Sequence, residues 1–492
     1  MDFTTLIFLS SGLFLGWSLG ANDAANIFGT AVGSRMVKFT TAAIVGSIFV
    51  VLGATFSGGG AAHTLGKLGA VNAMGGAFTA AFAAALTVYW MTKARLPVST
   101  SQAIVGAIIG WNLFAGARTE FSTLTTIMLT WVLCPVLAAF TATLLYKLTS
   151  HVLRWAQLHL LTLDSFTRIA LVTAGAFGAY SLGANNIANV MGIFVPSSPF
   201  TDISIGAVTL TGVQQLFLLG AIAIAVGIFT YSKRVMLTVG GSLMPLTPVA
   251  AWVVVMSHSL VLFLFASEGL EYFLASHGLP TVPLVPVSSS QAVVGAVIGI
   301  GILKGGAQID WLVAGRIASG WVTTPIIAAV VCVLSLFVLQ NLFLQVVNEP
   351  IEYQVNKTVI ERLQDEGFPS EQLHQVNGET FSSAANLSRR LRELNELTPE
   401  HINRVLDLSR LQVMHVETDR LNGELRYSLS PAQFAALLKI NGREYQYRWQ
   451  LEENLAALEP EWHLRERTIL NKRHNKEIEL RLALIEDEFQ KN

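Results

Sequence analysis

The chain has 492 residues, 52% of them hydrophobic and 13% charged, with a formal net charge of −1 and a mean hydropathy of +0.52. That balance excludes a nucleic-acid binder resting on overall basicity. The two cysteines, Cys134 and Cys332, both lie in apolar runs and exclude a disulfide framework or a cysteine metal cluster. Charge is unevenly placed: residues up to Gln345 hold 13 Lys/Arg and 8 Asp/Glu, and residues 346–492 hold the other 19 and 25, so a membrane core precedes a charged tail.

Met1-Asp2-Phe3 puts no basic residue ahead of the first apolar run, which predicts a retained membrane segment and not a cleaved signal. Segments long enough to cross a bilayer lie near 4–34, 39–56, 71–91, 97–115 and 122–146, and again near 168–196, 204–229, 246–267, 283–302 and 318–345. The polar stretch between the sets, with His151, Arg154, Trp155, His159 and Asp164, predicts a linker. The expected organisation is a first transmembrane repeat over 1–146, an inter-repeat linker over 147–167, a second repeat over 168–345 and a C-terminal domain over 346–492.

With one crossing per segment, the basic residues sort themselves. Arg35, Lys38, Lys93, Arg95, Lys147, Arg154, Arg168, Lys233, Arg234, Lys304 and Arg316 fall on one side, and Lys67 and Arg118 on the other. Excess Lys/Arg marks the cytoplasmic side, so both ends of the core are expected to face outward.

The two halves repeat in sequence. Leu19-Gly20-Ala21-Asn22-Asp23-Ala24-Ala25-Asn26 is echoed by Leu182-Gly183-Ala184-Asn185-Asn186-Ile187-Ala188-Asn189, and Gly29 by Gly192. Pro97-Val98-Ser99-Thr100-Ser101-Gln102-Ala103 is echoed by Pro286-Val287-Ser288-Ser289-Ser290-Gln291-Ala292, and Trp131-Val132 with Pro135 by Trp321-Val322 with Pro325. Three colinear matches, with an odd number of crossings each, predict an all-α polytopic membrane protein with an inverted-topology repeat and broken helices or helical hairpins, the architecture of secondary transporters.

The motifs carry chemistry suited to an anion. In Pro97 to Ser101 a proline precedes a run of hydroxyls and an apolar helix then resumes; proline is tolerated at the first helical position, so the hydroxyls sit at a helix N-terminus. Exposed N–H groups and the positive end of the dipole favour an anion there. No basic residue lies in any motif, so an anion would need hydroxyl and backbone donors with cations bound beside it. Asp23, with the carbonyl oxygens of Asn22, Asn26, Asn185, Asn186 and Asn189, offers hard oxygen ligands for sodium or a proton acceptor. Gly58-Gly59-Gly60-Ala61-Ala62 reads as close packing. His63, His258 and His277 read as ordinary segment residues, and Trp90, Trp111, Trp252 and Trp311 as interface anchors or core.

The run Gly20-Ala21-Asn22-Asp23-Ala24-Ala25-Asn26 into Gly29-Thr30-Ala31-Val32-Gly33-Ser34-Arg35, its second-half echo and the two Pro-Val-Ser-Thr/Ser-Ser stretches resemble the inorganic phosphate transporter (PiT) family over roughly residues 1–345. The resemblance implies a symporter importing inorganic phosphate with sodium or protons, and no enzymatic activity. It nominates Ser99, Thr100, Ser101, Ser288, Ser289, Ser290, Asn26 and Asn189 for substrate, and Asn22, Asp23, Asn185 and Asn186 for cation coupling, with Asp23 as the sodium ligand if sodium is the coupling ion. One departure stands out: the family usually has an aspartate where this chain has Asn186, and a branch of the family moves sulfate. Sulfate permease therefore remains an alternative, as does an anion sensor signalling through the tail.

The tail reads as a small, mainly helical soluble domain. Helices are expected over Leu387–Leu397, Pro399–Val413 and Glu461–Phe489, the last with a stripe of Leu470, Ile478, Leu480, Leu482, Leu484 and Ile485. Arg389-Arg390 and Lys472-Arg473-His474 read as solvated helix faces, and regulation or homodimerisation are the roles open to the domain. The expected setting is the lipid bilayer of the inner or plasma membrane, crossed many times, with no cofactor beyond the coupling ion and no nucleic-acid partner.

Overall fold

A computed structural model describes residues 3–69, 71–94, 98–205, 208–239, 243–394, 397–421, 426 and 429–490. Met1-Asp2, Arg95, Pro97 and Asn395-Glu396 of the sequence reading lie outside them. The chain forms two compact units, one of residues 1–115, 119–271 and 281–349, the other of 116–118, 272–280 and 350–492.

The first unit is a helical bundle. Its first half contains α1 (Phe3–Gly33), α2 (Phe39–Ser57), α3 (Gly59–Leu68), α4 (Met74–Lys93), α5 (Thr100–Ala115) and α6 (Phe121–Ala156). The second contains α7 (Leu160–Met191), α8 (Gly212–Thr230), α9 (Ser232–Val239), α10 (Pro248–Leu264), the start of α11 (Glu268–Ser276), whose residues from Tyr272 on belong to the other unit, α12 (Ser289–Leu303) and α13 (Trp311–Asn341), with a short hairpin, Ile203–Ile205 on Val208–Leu210, before α8.

The sequence reading counts ten crossings. Among the described residues seven helices are long and apolar enough to span a bilayer, or eight if α10 and α11, bent by 70° at their break, form one span. The shortfall lies in 97–115 and 283–302. There the helices start within the hydroxyl runs, at Thr100 and at Ser289, and the described residues ahead of each start are not helical. At 1.5 Å per residue these helices reach about 24 Å and about 22 Å, short of a hydrocarbon core of about 30 Å. The stretch 147–167 is also not a loop: α6 runs through Ala156, α7 starts at Leu160, and the turn between them opens at Gln157 with φ 44°. A 36-residue helix spans about 54 Å, so its last turns overshoot the apolar layer and carry the polar residues.

Contacts at the helix ends fix the direction of several helices. Near one end of the bundle Arg168 donates to Met36 O at 3.0 Å, Lys233 lies over the Phe39 ring, and Lys93 and Arg234 lie over Tyr231. At the opposite end Asn72 donates to Glu349 O at 2.7 Å and Trp111 to Val347 O at 2.9 Å. Thus α1 ends where α7 begins, α2 begins where α8 ends, and the basic residues gather at one end. The helices also exchange partners: α1 packs on α8 as α2 packs on α7, and α5 on α13 as α12 on α6. On α6 and α13 the matched residues Val132 and Val322, Val136 and Ile326, and Phe140 and Val330 all face outward and exposed, an apolar stripe suited to lipid.

One contact pair demands glycine twice. A Cβ on Gly106 would stand 2.1 Å from Pro325 O, and one on Gly295 would stand 2.2 Å from Pro135 O. These are matched glycines against matched prolines. Gly106→Ala is therefore expected to cost about 3 kcal/mol or more by overpacking, read as a lowered midpoint of thermal aggregation in detergent. A midpoint equal to wild type would mean that the helices separate freely there.

The second unit has two apolar cores and a duplication. In one copy Tyr353-Gln354 pairs with Thr380-Phe381, and in the other Met414-His415 pairs with Glu444-Tyr445. Each second strand follows an Asn-Gly turn, Asn377-Gly378 or Asn441-Gly442, whose glycine N–H donates to Val355 O (2.7 Å) or Val416 O (2.8 Å). A helix follows each, Ala384–Glu393 burying Leu387 and Leu391, and Arg448–Leu458 burying Leu451 and Leu455. The expected helix at Pro399 forms over Pro399–Ser409 with Thr398 as its cap, and the last over Lys472–Gln490. The latter buries Ile478, Leu482, Ile485 and Phe489 at helical spacing, whereas Leu470, Leu480 and Leu484 are exposed, correcting the mixed stripe. Arg404, with Arg362 beside it, bonds Glu366 and holds that carboxyl below its ordinary range. Among the described residues of this unit no helix is long and apolar enough to cross a membrane.

Candidate functional site

All twelve residues nominated from the sequence are buried, and hydrogen bonds link most of them into one centre. Asn22 to Asn26 sit within α1 and Asn185 to Asn189 within α7, each on a face lined with Gly and Ala, so the polar side chains are enclosed by close-packed backbone. Ser99 and Ser288 accept from the backbone N–H of Gln102 and Gln291, each at 3.2 Å, and so cap α5 and α12. The helices start at these caps; Pro286 precedes its cap by two residues and does not occupy the first helical position.

The four motifs cross-link. Asn22 donates to Asp23 Oδ1 at 2.9 Å and to Val98 O at 3.3 Å. Asn185 is bound at both ends of its amide, donating to Val285 O and accepting from Val287 N at 2.8 Å, and so tethers the extended chain before α12. Between halves, Asn26 donates to Ser289 Oγ at 3.0 Å, Asn189 to Ser101 Oγ at 2.8 Å, and Ser101 to Val287 O at 3.0 Å. Asn186 Oδ1 accepts from Asn189 at 2.9 Å and lies 3.4 Å from Ser101 Oγ, whose one hydrogen goes to Val287 O. The N-termini of two half-length helices therefore meet beside the middles of two long ones.

Several polar atoms in this centre are buried and have no partner among the described residues: Thr100 Oγ1, Gln102 Oε1, Gln291 Oε1, Asn186 Nδ2, Asn189 Oδ1 and His258 Nδ1. Buried polar groups are nearly always paired, so such a cluster marks where something else binds. Asp23 is the sole carboxylate among the twelve, and it is 2% exposed. Hydroxyl and helix N-terminal donors, orphaned amides and one carboxylate can hold a small oxyanion beside a cation.

The sequence reading missed His258. Its Nε2 lies 2.9 Å from Ser289 Oγ, and the side chain is fully buried on α10. The signal was present: an ionisable residue in the middle of a membrane segment is a site candidate by default.

A bundle of spanning helices around a buried polar centre, with two half-length helices ending in it, defines a multi-pass membrane transporter. Comparison with known proteins gives the family: this chain belongs to the phosphate transporter family, whose profile matches residues 19–332 and 277–416. It is a transporter and not an enzyme. A protein of Methanocaldococcus jannaschii that carries the provisional name of phosphate permease is 28% identical over 319 residues, 65% of this chain and 92% of its own. One of the same provisional name from Haemophilus influenzae is 24% identical, covering 68% and 96%. A solved structure, that of a protein named "The sodium-dependent phosphate transporter", shares the fold, with a TM-score of 0.55 at 24% identity over 69% of this chain and 99% of that one.

Proposed function

We propose that this chain imports inorganic phosphate across the cell membrane by symport with a cation, sodium before proton. The observation that carries this reading is the meeting of two hydroxyl-capped helix N-termini with the Asp23 segment in one buried centre. The hydroxyls of Ser99, Thr100, Ser101, Ser288, Ser289 and Ser290, with Asn26 and Asn189, hold the anion, while Asn22 and Asp23 hold the coupling cation, whose charge offsets that of the phosphate. Asn185, bound at both ends of its amide, serves as a tether and not as a ligand. The sodium dependence in the name of the solved relative supports sodium as the cation. Residues 1–146 and 168–345 act as inverted repeats that rock about the centre, and the basic end faces the cytoplasm.

A second reading, sulfate transport, draws on Asn186. Its orphaned Nδ2 is a donor where the family usually has a carboxylate, and a donor suits sulfate, which carries no proton near neutral pH. Uptake of labelled phosphate and sulfate into proteoliposomes, under a sodium gradient and separately a proton gradient, tests both. Sodium-driven phosphate accumulation that sulfate does not compete for is the expected result. Sulfate accumulation would transfer the assignment to the second reading, and no uptake of either would favour an anion sensor.

A further inference from the structure

We propose that His258 is a positioning residue of the anion site, aiming the hydroxyl proton of Ser289 at an oxygen of the bound oxyanion; the inference rests on the transport reading above. Ser289 Oγ has two neighbours among its described hydrogen bonds, Asn26 Nδ2 at 3.0 Å and His258 Nε2 at 2.9 Å. The amide nitrogen of Asn26 can only donate, so Ser289 Oγ accepts that bond. A neutral imidazole and a hydroxyl hold two donor hydrogens between them, and their mutual contact uses one.

Two arrangements follow. If Ser289 donates to Nε2, the imidazole proton sits on Nδ1, which is buried without a partner. If Nε2 carries the proton and donates to Ser289, Nδ1 presents only a lone pair, and Ser289 Oγ takes two N–H donors. A buried unpaired N–H is rarer and more costly than an unpaired acceptor, so the second arrangement prevails. The hydroxyl proton of Ser289 is then directed away from both nitrogens, toward a third partner that no described residue supplies. An acceptor oxygen completes that geometry, and a tetrahedral oxyanion at the start of α12 provides one.

Among the described residues, the matched position of the first half is not held in this way. Thr100, which matches Ser289, is buried with an unpartnered hydroxyl, and α4, the counterpart of α10, contains no histidine. One hydroxyl at this motif position is thus oriented by a histidine and the other is free to rotate, so the two halves are expected to grip the anion unequally.

The test is the kinetics of purified full-length protein in liposomes, with phosphate and sulfate as probes, and protection by either anion against thermal unfolding in detergent. His258→Leu, which fills the space without a donor, is expected to raise the KM for the transported anion about tenfold, the worth of one hydrogen bond to a charged group. Its maximal rate should change by less than about twofold, a split that general loss of packing would not give. His258→Gln, whose amide can donate, should recover part of the affinity. Ser289→Ala should match His258→Leu, and the double variant should lose no more than either, because the histidine acts through the serine. A wild-type KM in His258→Leu, or additive losses in the double variant, would overturn the proposal. Should His258→Leu fail to fold, equal KM values for His258→Gln and Ser289→Ala would overturn it. If the wild-type protein neither transports nor is protected by either anion, the transport reading falls as well.

Discussion

Asp23→Asn is expected to abolish gradient-driven accumulation of phosphate in proteoliposomes, a loss on the order of 100-fold, the upper range of a coupling free energy between two ligands. The substitution is conservative in shape. Asn22 Nδ2 now donates to Asp23 Oδ1 at 2.9 Å, and the amide oxygen of an asparagine accepts the same bond, so the packing of α1 against its neighbours survives. What disappears is the charge. A carboxylate this deeply buried in a membrane protein persists where a cation or a proton accompanies it. The same cation lowers the cost of bringing in an anion, and by reciprocity the anion raises the affinity for the cation by an equal factor. Without the carboxylate that linkage is broken, while the hydroxyls and helix N-termini remain to bind phosphate. The variant should therefore still exchange internal for external phosphate in the absence of any gradient. Wild-type accumulation under both sodium and proton gradients would remove Asp23 from coupling.

Much of this was legible because duplication acts as an internal control. A carboxylate or a hydroxyl run seen once in an apolar segment has several innocent explanations, but Asn22 and Asn185, or Ser99 and Ser288, recur at matched places, and the structure gives the two serines matched work. Both serines cap a helix through the N–H three residues on, and Gly106 and Gly295 press against matched prolines. Hydropathy identified the long helices for the same reason that membranes select them. It failed at α5 and α12, because an apolar average does not reveal that the helices start only at Thr100 and Ser289 and are too short to span the apolar layer by themselves. His258 was hidden by the opposite circumstance: it has no counterpart in the first half, so repetition could not single it out. The duplicated strand-helix copies of the second unit escaped notice because their shared signal is short, an Asn-Gly turn and a pair of leucines four residues apart, and it is diluted by different charged residues at most other positions.

Asn186→Asp should supply the carboxylate that the resemblance to the family leads one to expect there, and shift both substrate preference and cation dependence. Asn186 Oδ1 already accepts from Asn189 and lies 3.4 Å from Ser101 Oγ, and a carboxylate keeps both contacts. The orphaned Nδ2 becomes an oxygen, so a buried donor is exchanged for a buried acceptor and a second negative charge. Sulfate presents only acceptors, and it then faces a carboxylate oxygen with no hydrogen between them. Phosphate retains a proton near neutral pH and can donate it across the same gap. Competition by sulfate is therefore expected to weaken about tenfold relative to phosphate, a difference of about 1.4 kcal/mol. The added charge also needs an added cation, so phosphate uptake should depend more steeply on sodium concentration and fall further when sodium is scarce. Both are measured in one experiment, initial rates of labelled phosphate uptake against sodium at fixed phosphate, with and without sulfate. Identical sodium dependence and identical sulfate competition in the two proteins would place position 186 outside the reach of both anion and cation, leaving Asp23 to carry the coupling alone.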